Sequence, residues 1–348
     1  MNIKRIGLDL AKQVFQLHGV DSHEQPALKK KLKREQMLSY FRDIPPCLIG
    51  MEACSSAHYW ARELQKLGHT VKLIAPQFVK PYVKANKNDA NDAEAICEAV
   101  SRPSMRFVPI KSLAQQDLQA THRVRSQLVS QRTEKVNQIR GLLAEYGMVV
   151  GQRIECLRKA LPDLLEDAEN HLSSDFRVLL AGLRQDLQTL DERVRALDKR
   201  IQQQADTDPG AKRLLQIPGI GPITATALVS GVGDAKQFKR GRDMAAWLGL
   251  TPGQHSSGGK ERLLGISKRG DAYLRTLLIH GARAVLKVAS QKDDPRSRWL
   301  QSLSERRNKN IATVALANKN ARIAWALLTK SLDYQPTENG LASESACA

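Results

Sequence analysis

Aromatic residues are scarce in this 348-residue chain: four Trp, six Tyr and six Phe make up 5 % of it. Nothing hints at a β-sandwich, and the abundance of Leu, Ala, Gln and Arg points toward helices and a coiled coil. Cysteine is scarce too. The five present (Cys47, Cys54, Cys97, Cys156 and Cys347) are odd in number and never spaced CxxC. That supports neither a disulfide framework nor a zinc site, and it suits a reducing cytoplasm. No apolar run approaches the ~18 residues needed to span a bilayer, and MNIKRIGLDL lacks the long apolar stretch of a signal peptide. A soluble, cytoplasmic protein with no membrane partner is expected. Acidic residues are in deficit: 36 Asp and Glu face 54 Lys and Arg, for a net charge of +18 and a pI near 9.8. Such a balance favours a polyanion, bound through phosphate contacts and counterion release.

What is present sharpens this. The chain is longer than one core comfortably fills, and its 42 % hydrophobic content suffices for two or more domains. The positive charge is concentrated: residues 236–330 carry 20 Lys and Arg against 6 Asp and Glu. A second basic cluster comprises Lys29, Lys30, Lys31, Lys33 and Arg34. Surface charges are often merely solvated, so only a subset is expected to touch nucleic acid.

From Ile3 to Ala75 the pattern is α/β. RIGLDLAKQVFQLHGV reads as two strands, CLIGMEA as a buried strand, SAHYWARELQKLG as an amphipathic helix and TVKLIAP as a further strand. A first domain over residues 1–105 follows. Residues 106–207 read as a helical arm. Phe176, Leu180, Leu183, Leu187, Leu190, Val194, Leu197 and Ile201 keep a heptad register, and a looser stripe (Leu128, Val136, Ile139, Leu143) precedes it, with Gly147, Gly151 and Pro162 between. The arm is either a hairpin packed on itself or a dimerisation element, or both. Residues 208–332 are basic and mainly helical. In LLQIPGIGPITATALVSGVG a tight turn separates two helices, the pattern of a helix-hairpin-helix, in which Gly219 and Gly221 let backbone approach a phosphate; a simple helix connection is the plain alternative. The tail, 333–348, has the composition of a disordered segment.

Acids are the minority charge, and their placement is informative. In KNDANDAEA, Asp89 and Asp92 stand three residues apart, on one helical face. Taken alone they read as first-turn acids that complement the helix dipole, with Asn88 or Asp89 as N-cap. But Asp9 lies in the first strand and Glu52 at the end of a later one, and strand-end acids of an α/β unit converge at one sheet edge. Four carboxylates there repel one another unless cations neutralise them. Hard oxygen donors without His or Cys select Mg²⁺ or Mn²⁺, and such ions can clamp both oxygens of a phosphoryl transfer.

The ordered segments IGLDLAK, GMEAC, KNDANDAEA, IPGIGPITA, WLGLTPG, the SSGG loop and SKRGDAYLRTLLIHGARA resemble the DEDD transposases of the insertion-sequence-110 family, most closely the insertion-sequence-1111 subgroup. The resemblance runs from about residue 3 to residue 330. It implies an RNase H-like (RuvC-like) N-terminal domain, a coiled-coil arm, and a C-terminal transposase domain with a catalytic serine. It also implies Mg²⁺ (or Mn²⁺) held by Asp9, Glu52, Asp89 and Asp92. The family's serine follows a GLTP-like turn, here Gly249-Leu250-Thr251-Pro252; alignment from that turn gives Ser257, with the adjacent Ser256 left open. Lys260, Arg262, Lys268, Arg269 and Arg275 are the expected phosphate contacts, extended by Arg306, Arg307 and Lys309. His255, His58 and His280 are given no catalytic or metal role, and Trp299 and Trp325 are expected in helical cores.

The expected activity is site-specific recombination of donor and target DNA by a homo-oligomer, dimer or tetramer, guided by a structured noncoding (bridge) RNA. The acids of one subunit would meet the serine of another. Two rivals stay open: a metal-dependent, structure-selective nuclease that uses water, and a non-catalytic nucleic-acid-binding protein.

Overall fold

The computed structural model describes residues 3–84, 88–330 and 333–335 and divides into two compact units, Met1–Ser112 and Leu113–Ala348. In the first, apolar residues alternate with polar ones or glycine through β1 (Ile3–Leu10) and β2 (Val14–Asp21), which pair antiparallel. β3 (Pro26–Lys33) continues the meander, and α1 (Met37–Arg42) leads to β4 (Leu48–Glu52). After α2 (Ala57–Lys66) come β5 (Thr70–Ile74), the short α3 (Pro76–Val79), α4 (Asp89–Val100) and β6 (Phe107–Val108). The sheet order is β3-β2-β1-β4-β5-β6, with β4 and β5 parallel to β1 and β6 antiparallel to β5. Because β6 completes this sheet, the unit extends to Ser112, past the boundary expected at residue 105.

Strand periodicity assigns the two faces. Ile6, Leu8, Phe15, Leu17, Ile49 and Met51 bury against Met37 and Phe41 of α1 and Trp60 and Leu64 of α2. The other face receives α4, and it does so over glycines. A Cβ on Gly7 would stand 2.1 Å from the Ala93 carbonyl oxygen and 2.4 Å from the Cys97 nitrogen; one on Gly50 would stand 2.8 Å from Val100 Cβ. Arg5 Nε donates to the Cys97 carbonyl at 3.0 Å, securing the same helix.

The second unit opens with α5 (Leu113–Ala144), α6 (Ile154–Glu166) and α7 (Ser174–Thr207). α5 and α7 run antiparallel, as the pairs Arg125–Asp198, Arg132–Asp191 and Lys135–Asp186 show. Leu128, Val136, Ile139 and Leu143 are all buried, and so are Phe176, Leu180, Leu183, Leu187, Val194 and Ile201, whereas Leu190 and Leu197 are only half-buried. Pro162 does not interrupt a helix; α6 runs through it. Asp191, 4 % exposed, takes Arg158 of α6 in two-pronged fashion at 2.8 and 2.5 Å.

α8 (Pro209–Leu215), α9 (Pro222–Val232), α10 (Gly241–Trp247), the hairpin β7 (Pro252–Gln254) and β8 (Leu263–Ile266), α11 (Ala272–Val288), α12 (Pro295–Arg306) and α13 (Lys309–Lys330) complete the unit. Their core includes Leu214, Leu228, Met244, Leu278, Leu316 and Trp325. Trp325 donates to the Phe238 carbonyl at 3.0 Å, and Trp299 is packed against the core beneath Lys319, both as expected. α5 is rooted here: buried His122 meets Thr226 Oγ1 at 3.0 Å and the Tyr273 hydroxyl at 3.1 Å beside a groove of about 450 Å³. The Thr226 hydroxyl donates to the Pro222 carbonyl, so His122 Nε2 donates to Thr226 and Nδ1 accepts from Tyr273. Burial, then the charge of Arg125, push the pKa of this imidazole down to about 4. Of the expected disordered tail, 336–348 lie outside the described residues; Tyr334 is tied down, its hydroxyl taken by Arg296 at 2.5 Å and its N–H by Gln216 at 2.6 Å.

Gly7→Ala would drive a methyl into helix backbone that cannot yield as a side chain can, and is expected to cost about 3 kcal/mol or more. Gly141→Ala, in an open helical position, should instead stabilise by about 0.5–1 kcal/mol. Chemical denaturation of the two variants checks the contrast.

Candidate active site

The acids fall where the glycines put them. Gly7 pairs in register with Gly50 across the parallel β1 and β4, and Asp9 and Glu52 each follow two residues later on the same face. α4 runs against β1 in the opposite sense, since Cys97 lies over Gly7 and Arg5 while the first turn reaches Asp9. Asn88 is the N-cap, its side chain accepting the Asn91 N–H at 2.8 Å. Asp89 and Asp92 therefore occupy the first turn with their carboxylates not consumed by capping; Lys87, the first residue of KNDANDAEA, lies outside the described residues.

Asp9 registers the result. Its pKa is raised to about 6, first by burial and then by the negative charges of Asp89, Asp92 and Glu52, in that order. The sheet and α4 have thus brought the other three predicted acids within electrostatic reach of Asp9. The donors are carboxylate oxygens alone, the chemistry of hard divalent cations, and a cation would convert their repulsion into attraction. Among the described residues no three His, Cys, Asp or Glu side chains are gathered closely enough to grip an ion as they stand. The fit is one of donor chemistry and charge on a backbone already in place.

The predicted serine loop is the end of a β-hairpin. Lys260 N–H donates to the Ser257 carbonyl at 3.0 Å, and the two residues between, Gly258 and Gly259, have φ of +55° and +75°. That is a two-residue turn of type I′, which demands left-handed residues at both central positions. The two serines differ. Ser256 Oγ accepts the Arg262 N–H at 3.2 Å and the Gln254 amide at 3.0 Å, whereas the Ser257 hydroxyl is exposed and makes no hydrogen bond among the described residues. At the hairpin's base, left-handed Gly249 and Gly270 (φ +72° and +89°) pack on the backbone of Arg269 and Trp247, where a Cβ would lie 2.1 and 1.8 Å from their carbonyl oxygens.

Lys260, Arg262, Lys268 and Arg269 are exposed around this hairpin, Lys268 with a φ of +53°. Arg275 is half-buried and spends its guanidinium on the carbonyls of Leu248 and Arg269 at 3.2 and 3.4 Å. Gly219, with φ of +92°, packs on Gly281 of α11, where a Cβ would come within 2.9 Å of the carbonyl oxygen. Its close approach is made to protein backbone, while Gly221 at the N-cap of α9 stays exposed with open space beside it. His255 and His280 are exposed, and His58 Nδ1 accepts the Lys111 N–H at 3.2 Å. Sequence reasoning missed Gly7 and Gly50, although IGLD and IGME repeat one spacing, glycine two residues before an acid.

A mixed sheet under α4, followed by a mostly helical unit, fits a DEDD transposase. The comparisons agree. The IS110 DEDD family model, described as "Transposase", matches residues 6–148, and the "Transposase IS116/IS110/IS902 family" model matches residues 211–298. A "Probable family 20 transposase" of Pseudomonas aeruginosa is 58% identical over 337 residues, covering 97% of this chain and all (100%) of the relative. The "Transposase for insertion sequence element IS1111A" of Coxiella burnetii is 46% identical (96% of this chain, 92% of the relative). That for IS1328 of Yersinia enterocolitica is 42% identical (94% and 98%). The chain belongs to the IS110/IS116 family of insertion-sequence transposases; it is a DNA transposase, of a class that works with divalent metal. Among the described residues no helix is long and apolar enough to cross a membrane.

Because burial and the neighbouring carboxylates both disfavour a charged Asp9, Asp9→Asn should melt at a higher temperature than the wild type in divalent-free buffer. Adding Mg²⁺ should then raise the wild-type midpoint and leave that of the variant unmoved; equal rises in scanning fluorimetry would place the ion elsewhere.

Proposed function

We propose that this transposase excises and inserts its own element by site-specific recombination, through a covalent bond between Ser257 and DNA. The observation that carries the reading is the contrast within the hairpin: Ser256 is committed to holding the loop, and Ser257 is presented free at the turn. Ser257 Oγ attacks the scissile phosphorus, an Oγ–P bond forms, and the P–O3′ bond breaks. The serine proton leaves through solvent and the departing 3′ oxygen gains one, so the strand ends in a free hydroxyl. Attack by a 3′ hydroxyl on the phosphoserine reverses the step, and because the bond energy is stored no ATP is needed. Asp9, Glu52, Asp89 and Asp92 would hold Mg²⁺ or Mn²⁺, which when bound supplies charge neutralisation for a phosphodiester. The strand order β3-β2-β1-β4-β5, with β2 alone reversed, supports an RNase H-like reading of the first unit. The α8–turn–α9 segment supports a helix-hairpin-helix with Gly221 as its phosphate-facing glycine. The exposure of Lys260, Arg262, Lys268 and Arg269 supports reading them as phosphate contacts, whereas Arg275 bonds the carbonyls of Leu248 and Arg269 at the loop's base. The active form is proposed to be a homo-oligomer.

With a DNA duplex nicked so that religation fails, the wild type should accumulate a protein–DNA adduct that is lost on protease treatment. Ser257→Ala should yield none. Ser256→Ala, which removes two loop hydrogen bonds, should retain it within roughly ten-fold. Cleavage by Ser257→Ala without an adduct would make water the nucleophile.

The basic stretch 236–330 and the family resemblance support a noncoding guide RNA as the source of target choice. RNA sequenced after copurification should map beside the element, and deleting that flank from the donor plasmid should abolish recombination.

A further inference from the structure

The basic run LKKKLK lies in β3, at one end of the sheet order, and the register sorts its lysines. Gly7 is opposite His18 and His18 opposite Lys29; Asp9 is opposite Gln16 and Gln16 opposite Lys31; Lys33 follows opposite Val14. Directly opposed residues share a face, so Lys29, Lys31 and Lys33 project from the α4 face, the face of Asp9. Lys30 points the other way, its ammonium 4.4 Å from the Tyr40 ring, and the Arg34 guanidinium lies 5.1 Å from the Trp60 ring. A cluster of five cations in the sequence thus resolves into a row of three and two that pack on aromatic residues.

The row has the properties of a track. Its members stand about 6.6 Å apart, two residues along a strand, and Lys31 is level with Asp9 at two strand spacings, about 10 Å. α4 packs chiefly on β1, β2 and β4, more lightly on β5, and all three lysines of β3 are exposed. None has a carboxylate partner among the described residues, unlike Lys4 and Lys84, which pair with Glu24 and Glu94. A nucleic acid strand carries one phosphate per ~3.4 Å of axis, so lysines at this spacing meet about every second phosphate. Lysine on an edge strand also blocks sheet-to-sheet association, but that needs no row level with Asp9 and serves equally well from the Lys30 side.

We infer that Lys29, Lys31 and Lys33 form a phosphate track that lays the DNA strand along β3 and brings it past half-buried Gln16, beyond the part of β2 that α4 covers, to the acids. The inference rests on the reading of Asp9 as part of the strand-cutting site; the lysines act as positioning residues. Four acids repel DNA, and a parallel row of cations beyond β2 offsets that repulsion where the backbone enters.

Equilibrium binding separates this from the chemistry. Full-length protein carrying Asp9→Asn, which holds DNA without cutting it, is titrated with a fluorescein-labelled duplex bearing the element's end and with an RNA of equal length, over a range of salt. With Lys29→Gln, Lys31→Gln and Lys33→Gln combined, duplex affinity should fall at least about ten-fold at physiological salt. The slope of log K against log salt should shrink by about 2.5 to 3, since each phosphate left unneutralised takes away about 0.9. Lys30→Gln should change neither, and the three Lys→Arg replacements should restore both. An unchanged duplex slope, or weakening confined to the RNA, overturns the track. So does self-association of the triple variant whose monomeric fraction binds DNA normally; Lys31→Gln alone, expected to cost about one unit of slope, decides the matter should the triple variant not fold. Loss of cutting in Asp9→Asn alongside unchanged slopes would remove the track and leave the catalytic reading standing.

Discussion

A helix can lie directly on a β-strand only where the strand offers no side chain. In the first unit that condition is met at Gly7 and Gly50, paired in register beneath α4. Everything chemically interesting there is placed by it. The strands carry Asp9 and Glu52 two residues beyond the glycines, and the helix, seated low, brings its first turn to them. A methyl group on Gly7 would lift the helix and open the cluster. The same device recurs in the second unit, where Gly219 meets Gly281 and Gly249 and Gly270 interlock beneath the serine hairpin. The acid cluster and the serine hairpin thus both stand beside close glycine packing, which has fewer soft degrees of freedom than packing of side chains.

Close seating has an electrostatic cost. Asp9 is partly buried near three other carboxylates, and burial first, then their charges, raise its pKa to about 6. Local structure nearby is consistent with its surroundings, as the Asn88 cap shows, so the electrostatic conflict at Asp9 stands against a locally satisfied backbone. The +18 net charge sets the contrast: acids elsewhere, such as Asp191, Asp186 and Asp198, pair with Arg or Lys, whereas Asp9 is surrounded by like charges.

Much of this is legible in the sequence, unevenly. The acids can be read because strand-end position and helix spacing are local properties, and β1, β2, β4 and β5 announce themselves by alternation. β3 does not. PALKKKLK contains one fully buried residue, Leu32, and its strand identity comes from pairing with β2 rather than from its own composition. IGLD and IGME are visible, but their meaning depends on a register no single segment specifies. The choice between Ser256 and Ser257 likewise requires partners six residues or fewer away that only the hairpin brings together. The arm's heptads are plain, whereas its rooting through His122, a histidine in an otherwise polar stretch, is not. Arg275 reads as a free cation because nothing local says that its guanidinium turns back onto Leu248 and Arg269.

The long pair α5 and α7 spans the second unit without a hinge: each exceeds 30 residues, clamped midway by Asp191 and the arginines and anchored at its base by His122 on α9 and α11. Such a rod does not absorb bending; it conveys it. A displacement imposed at its far end, near α6, reaches α9 and the first turn of α11, and α11 begins directly after the glycine that fixes the foot of the serine hairpin. The arm is thereby a lever whose fulcrum is a neutral imidazole, with the foot of the serine hairpin close by that fulcrum in the chain.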